Sequence, residues 1–427
     1  MTLYYAVGSP NHTLGMPEFL SALEQCFSRI GWPKRALAIP PDHTRLDSQA
    51  GPITRAAHQL LGDRLTDVMP ALGTHEAMNE HELHKMFGDL PRDLIRVHRY
   101  KTDVETLGYV DADFVEAATE GIYRKPWPAQ VNKIITQGGH DMVLSIGQVV
   151  PHEVIGMANY TKNIFVGTGG VAGIDDSHYL SALYGSERIM GRCDNPLRRI
   201  LNRGAEMYLQ PYPILYVLTV VESTVDAGPV VRGLFIGDDH DVFYRAGELS
   251  ARVNCFRLDQ APQRVVVWMD PEKYKKTWVG NKAIYRTRMA IADGGTLVVL
   301  APGVAKFGEH ADVDRLIRKY GYRTSAEIMD CVRDHEDLAA NLSTAAHLIH
   351  GSTENRFRVE YCPGELTRDE IESVGYEYRD CREAMHEYAV EGLQDGWHTS
   401  RSGEPFYFIR NPGLGLWMHR GHRHAFE

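Results

Sequence analysis

From the N-terminus to about residue 256, short apolar runs alternate with longer amphipathic stretches, the pattern of a sheet whose strands are joined by helices. Runs at Ala36–Ile39, Val68–Leu72, Met142–Val150 and Ile164–Val166 end in turn residues and predict buried strands. Pro17–Ile30 and Ile53–Leu61 carry helical spacing between them. Ile214–Val221 and Val230–Ile236 are β-rich, and the Asp-Ala-Gly-Pro stretch at 226–229 predicts that they form a hairpin. A short polar stretch, 257–264, then precedes a new strand at Val265–Met269, a helical segment over Tyr274–Asp293 and a strand at Thr296–Leu300. Helices follow to about residue 350. After them come a strand-like Arg356–Tyr361, a helix-like Cys381–Val390 and a final apolar run, Pro405–Ile409. The chain reads as an α/β protein of two domains, 1–260 and a smaller 261–427, which suits its 427 residues.

Composition narrows the classes. Acids outnumber lysine and arginine 56 to 46, so no overall basic field exists to hold a nucleic acid or an anionic membrane. No apolar run approaches the length of a membrane span, and the first residues carry no basic and apolar leader pattern. Six dispersed cysteines lack metal or disulfide spacing. A reducing, cytoplasmic location is the expectation.

Ligands of open α/β sheets gather where strands end, which directs attention to four stretches. The first, Pro40 to Arg45, packs Asp42, Thr44 and Arg45 behind a strand; Arg45 suits a carboxylate or phosphate, and Asp42 equally suits a plain helix cap. The second, Gly73-Thr74-His75, offers an imidazole that reads as a catalytic group or a structural one. In the third, His152 is followed by Gly156, Lys162, a glycine loop over 167–173 containing Gly169 and Gly170, and His178. Such a loop brings backbone N–H groups near a phosphate, or simply makes a turn. The fourth is Trp278 to Lys282 in the second domain, where the lysine reaches an anion or faces solvent. The terminal HRGHRHAFE reads as a solvated end.

Taken together, these segments resemble the nickel-pincer-nucleotide lactate racemase family over most of residues 36–303. The intervals of ten residues from His152 to Lys162 and sixteen from Lys162 to His178 are similar to the family's. So are the Asp-x-Thr-Arg loop, at Asp42–Arg45, the Gly-x-His at 73–75 and a second-domain lysine, at Lys282. The resemblance implies a racemase or epimerase of 2-hydroxy acids, with an active-site cleft between a cofactor-binding domain and a substrate-closing one. It implies Lys162 as the covalent anchor of a pyridinium-3,5-bisthiocarboxylate mononucleotide carrying nickel, and His178 as a nickel ligand. Asp42, Thr44, Gly169 and Gly170 would contact the cofactor. His75 and His152 would be the acid–base pair of a hydride route through a 2-keto acid, and Arg45, Lys282 and Trp278 would hold the substrate. Cofactor-assembly proteins are implied as partners, and no nucleic acid or membrane.

The chain departs from the family pattern in places. Val279, with Trp278 before it, stands where a glutamine often precedes the lysine, which favours a substrate other than lactate, such as an aldonate. The anchor is preceded by Asn159-Tyr160-Thr161 in place of a Gly-Gly-Arg version. Trp397 and Trp417 compete for the family's later tryptophan. Two other readings stay open: a nicotinamide-dependent oxidoreductase built on the GxGxxA turn at Gly167–Ala172, and a zinc protein using His75, His152 and His178.

Overall fold

The computed structural model describes residues 2–224 and 228–426. It divides into two compact units, one of residues 1–180 and 189–254, the other of 181–188 and 255–427. The changeover falls at residues 254 and 255, where the sequence reading had placed one boundary near residue 260, and Ser181–Arg188 belongs with the later part of the chain.

The first unit is built on six strands: β1 (Leu3–Gly8), β2 (Ala36–Ile39), β3 (Leu65–Val68), β4 (Met142–Gln148), β5 (Ile214–Thr224) and β6 (Gly228–Gly237). They lie in the order β1-β6-β5-β4-β2-β3. The run β5-β4-β2-β3 is parallel, and β6 and β1 add antiparallel strands at one edge. β2 and β4 are buried along their whole length, as expected of parallel strands covered on both faces. The β5–β6 hairpin is present, although its turn lies partly outside the described residues. Five helices concern the argument: α1 (Met16–Ile30), α2 (Ala50–Leu61), α3 (Val171–Tyr184), α4 (Pro196–Tyr208) and α5 (His240–Asn254). Proline in the first turn of α1, and Glu18 accepting from the Gly15 N–H at 2.8 Å, explain where α1 begins.

Two expectations are corrected here. Ile164–Val166 is not a strand: Asn163–Gly167 forms a turn of π-helix. The Asn163 amide donates to the Ile39 carbonyl and the Ser145 hydroxyl, both at 3.0 Å, which fixes this wound segment over the ends of β2 and β4. The third strand also lies earlier than expected, at Leu65–Val68, with Met69–Leu72 as the chain leaving the sheet.

The second unit holds a sheet of β7 (Arg264–Trp268), β8 (Thr296–Ala301), β9 (Arg358–Pro363), β10 (Glu377–Tyr378), β11 (Gly396–Thr399) and β12 (Pro405–Ile409), ordered β10-β9-β8-β7-β12-β11. The expected long helix over Tyr274–Asp293 is replaced by two single turns, Thr277–Gly280 and Lys282–Tyr285. The C-terminal histidine tract is only partly solvated: Arg420 and Arg423 are exposed, whereas His422 is drawn inward. His422 Nε2 lies 3.5 Å from Glu187 Oε2, a carboxylate that also accepts from Arg288 at 2.8 Å.

Candidate functional site

The neighbouring parallel strands β4, β2 and β3 end on one edge of the first unit's sheet, and each leads directly into a candidate residue. After β2, Asp42 caps a 3-10 turn over His43–Ser48 and is 3% exposed. Its Oδ1 accepts from the Thr44 N–H at 3.1 Å and the Thr44 hydroxyl at 2.5 Å, and its Oδ2 accepts from His75 Nδ1 at 2.5 Å. Burial alone would raise the Asp42 pKa. The charge and hydrogen bond of His75, the Thr44 bond and the nearby Arg45 overcome it and hold the carboxyl well below the usual range. Both Asp42 oxygens are therefore committed to side chains of the protein. A carboxylate on Nδ1 leaves His75 with an acceptor Nε2.

After β3 the chain turns at Gly73, whose φ of 57° favours glycine, and the Gly73 N–H donates to the Gly167 carbonyl at 2.8 Å. That bond ties the His75 loop to the segment following Lys162. After β4 comes His152, 5% exposed, whose Nδ1 accepts from the Val154 N–H at 3.1 Å. Glu153 Oε2 lies 3.6 Å from the same nitrogen.

Lys162 is half-buried and immediately precedes the π-helical turn. His178, on α3, donates from Nδ1 to the Ile174 carbonyl at 2.8 Å, leaving Nε2 as the ring's acceptor nitrogen. It is half-buried by surface but closely enclosed. Burial is the main cause of a pKa pushed down to about 4; the Ile174 bond opposes it, the charge of Lys162 adds to it, Glu153 opposes and His75 adds. Lys162, Glu153 and His75 thus each act electrostatically on His178. A neutral imidazole with a defined free nitrogen is the form a soft divalent metal takes.

Gly169 and Gly170 have a packing reason to be glycine. A Cβ on Gly169 would come within 1.8 Å of the Phe165 carbonyl, and one on Gly170 within 2.6 Å of the Gln130 amide oxygen. His98, 3% exposed, donates from Nε2 to the Gly169 carbonyl at 3.1 Å, and its Nδ1 accepts from Asn132 at 2.9 Å. Burial pushes its pKa down to about 4. The dinucleotide reading fails on context, because the GxGxxA turn follows a π-helical turn and not a strand. The zinc reading fails as well: among the described residues no three His, Cys, Asp or Glu side chains gather to hold a metal.

In the second unit, Trp278 packs on His347 with ring centroids 4.6 Å apart, and His347 Nε2 bonds the Tyr322 hydroxyl at 2.8 Å. The Lys282 ammonium lies 5.8 Å from the Tyr274 ring centroid. Of the two later tryptophans, Trp417 is buried against Phe256 and Trp397 is half exposed.

Three residues escaped the sequence reading. His98 sits in a polar stretch without a motif, Glu153 is masked by the histidine beside it, and Arg198 lies on an amphipathic helix where arginines normally meet water. The Asn132–His98–Gly169 chain of bonds carries no spacing signal.

Residues 28–190 match the family model described as the lactate racemase N-terminal domain. That stretch is lactate racemase-like. The matched stretch contains Asp42, Arg45, His75, His152, Lys162 and His178. Two solved structures share the fold. A Thermotoga maritima protein superposes with a TM-score of 0.81 at 23% identity, covering 97% of this chain and 100% of that one. The lactate racemase apoprotein of Thermoanaerobacterium thermosaccharolyticum superposes with a TM-score of 0.66 at 14% identity, covering 97% and 90%. No curated protein matches the sequence. Among the described residues no helix is long and apolar enough to cross a membrane.

Proposed function

We propose that this lactate racemase-like chain interconverts the configurations of a 2-hydroxy acid at C2, with a nickel-pincer nucleotide anchored on Lys162. The observation that carries the reading is His178, a neutral imidazole whose Nδ1 is committed to Ile174 and whose environment includes Lys162 and His75. When bound, the nucleotide supplies a hydride acceptor, so that the hydroxy acid passes through its 2-keto acid.

The chain's own residues do the rest. His178 Nε2 would ligate the nickel. His75, its Nδ1–H held by Asp42, offers Nε2 to take the substrate hydroxyl proton, and the positive ring that results faces an ionised partner. His152 would serve the hydroxyl of the other configuration. Arg45 and Lys282 would hold the substrate carboxylate. Trp278, backed by His347, would give the substrate tail a flat apolar wall, which suits the C–H face of a polyhydroxy acid such as an aldonate better than the methyl of lactate. Cofactor-assembly proteins in the cytoplasm would load the chain.

The test is intact mass and nickel content after co-expression with a cofactor-assembly system, beside Lys162→Ala. A mononucleotide-sized adduct with nickel in the native chain, and neither in the variant, is expected. An unmodified native chain, in a host that loads a known racemase, would defeat the reading. Chiral 2-hydroxy acids, lactate and aldonates among them, then identify the substrate.

A further inference from the structure

The segment delivering Lys162 has an unusual backbone. Asn159 and Tyr160 are consecutive non-glycine residues in the left-handed region, with φ of 68° and 60°. Such residues enter it singly and at a cost, and tyrosine has none of the local bonding that eases asparagine into it. Something in the surroundings must hold both.

Arg198, on α4, is the group in place to do so. It is fully buried and bonds three alternate residues of this segment: Nη2 donates to the Met157 carbonyl at 2.6 Å, and Nη1 to the Asn159 carbonyl at 3.2 Å and to the Thr161 hydroxyl at 2.9 Å. Thr161 passes its own proton to Asn202 at 3.0 Å, one turn further along α4. The guanidinium lies 4.1 Å from the Phe243 ring centroid, and Phe243 stacks on Tyr160 with centroids 5.4 Å apart. No carboxylate pairs with Arg198 among the described residues, and its Nε is buried without a hydrogen-bond partner. A guanidinium buried without an anion is costly, and it is kept here on backbone carbonyls, one hydroxyl and two rings.

We infer that Arg198 is a positioning residue for Lys162: its fork imposes the two left-handed residues and so sets where the anchor's side chain emerges. Its importance for function rests on the anchor role proposed for Lys162; the conformational claim stands on the backbone alone. Asn159 and Tyr160 occupy positions where glycine would adopt these angles without a clamp.

The experiment compares the full native chain with Arg198→Lys, Asn159→Gly and the double variant Arg198→Lys/Asn159→Gly. Hydrogen exchange is followed in apoprotein, and adduct mass after co-expression with the assembly system. Lysine keeps the charge and loses the fork. Arg198→Lys should exchange about tenfold faster in the peptide covering 157–163, with β4 and β5 unchanged, and should load roughly tenfold less. Asn159→Gly alone loses the 2.7 Å bond from the Tyr160 N–H to Asn159 Oδ1 and should exchange no more than about twofold faster than the native chain. The double variant should recover about threefold of both losses, because glycine removes one of the two strained positions. Native exchange in Arg198→Lys, acceleration spread over the whole sheet, or no recovery in the double variant would each overturn the inference. If the native chain takes up no adduct, the anchor reading fails, and the exchange data still decide the conformational claim.

Discussion

The loops after β3 and β4 each carry a histidine, and the protein treats the two differently. His75 donates from Nδ1 to the buried Asp42 carboxylate, which leaves Nε2 as the acceptor. His152 accepts a backbone N–H on Nδ1, so its neutral ring carries the proton on Nε2. Glu153 Oε2 stands 3.6 Å from His152 Nδ1, beyond hydrogen-bond reach. The two residues proposed as the acid–base pair therefore rest in opposite tautomers. One is set to take a proton, whereas the other must first exchange a backbone donor for a carboxylate acceptor.

Predictions follow from that contrast, the largest first. Asp42→Ala removes the partner that fixes the His75 tautomer, and kcat of the loaded enzyme should fall by about 10²–10⁴-fold, as for loss of a positioned base. Following interconversion of the two configurations checks this; near-native kcat would show that His75 does not depend on the carboxylate. Glu153→Gln should act on His152 more gently, lowering kcat by about tenfold with KM little changed. Steady-state kinetics in both directions tests it, with partial recovery expected in Glu153→Asp. Since the substrate's equilibrium constant is fixed, kcat/KM must fall by the same factor in both directions in either variant. Any asymmetry between the two directions within one variant therefore has to appear in kcat and KM separately, not in their ratio.

The smallest effect concerns His98, which holds the glycine loop through the Gly169 carbonyl. Its folded pKa of about 4 lies below the roughly 6.5 of an exposed histidine. Between those pH values the unfolded chain binds a proton that the folded chain refuses, so its contribution is complete above about pH 6.5 and is lost as pH falls toward 4. His98→Gln should cost on the order of 1–3 kcal/mol at pH 7 and flatten the decline in stability below pH 6.5. Urea unfolding across that range measures both.

The parallel strands and their terminal loops were legible because burial demands apolar runs and the chemistry sits where the runs stop. Asp42, His75 and His152 could be found in that way. The π-helical turn was not, since Ile164, Phe165 and Val166 have the composition of a strand; only the bonds of Asn163 to two strands determine how they wind. Nor was the Asp42–His75 pair, which joins residues 33 apart in sequence across neighbouring strands. Arg198 was the least legible of all. Its helix shows the ordinary alternation of a surface helix, and what distinguishes it is a pair of backbone angles in a distant loop.

The interleaving of the two units bears on how the protein can be divided. The chain leaves the first unit after Leu180, returns at Ile189 and leaves again after Asn254. No single cut releases either unit whole. A fragment ending near residue 254 would carry Ser181–Arg188 without the partners of Glu187, Arg288 and His422 among them, and a fragment starting at Cys255 would lack that carboxylate. A division at one junction therefore leaves Glu187 on one fragment and Arg288 and His422 on the other.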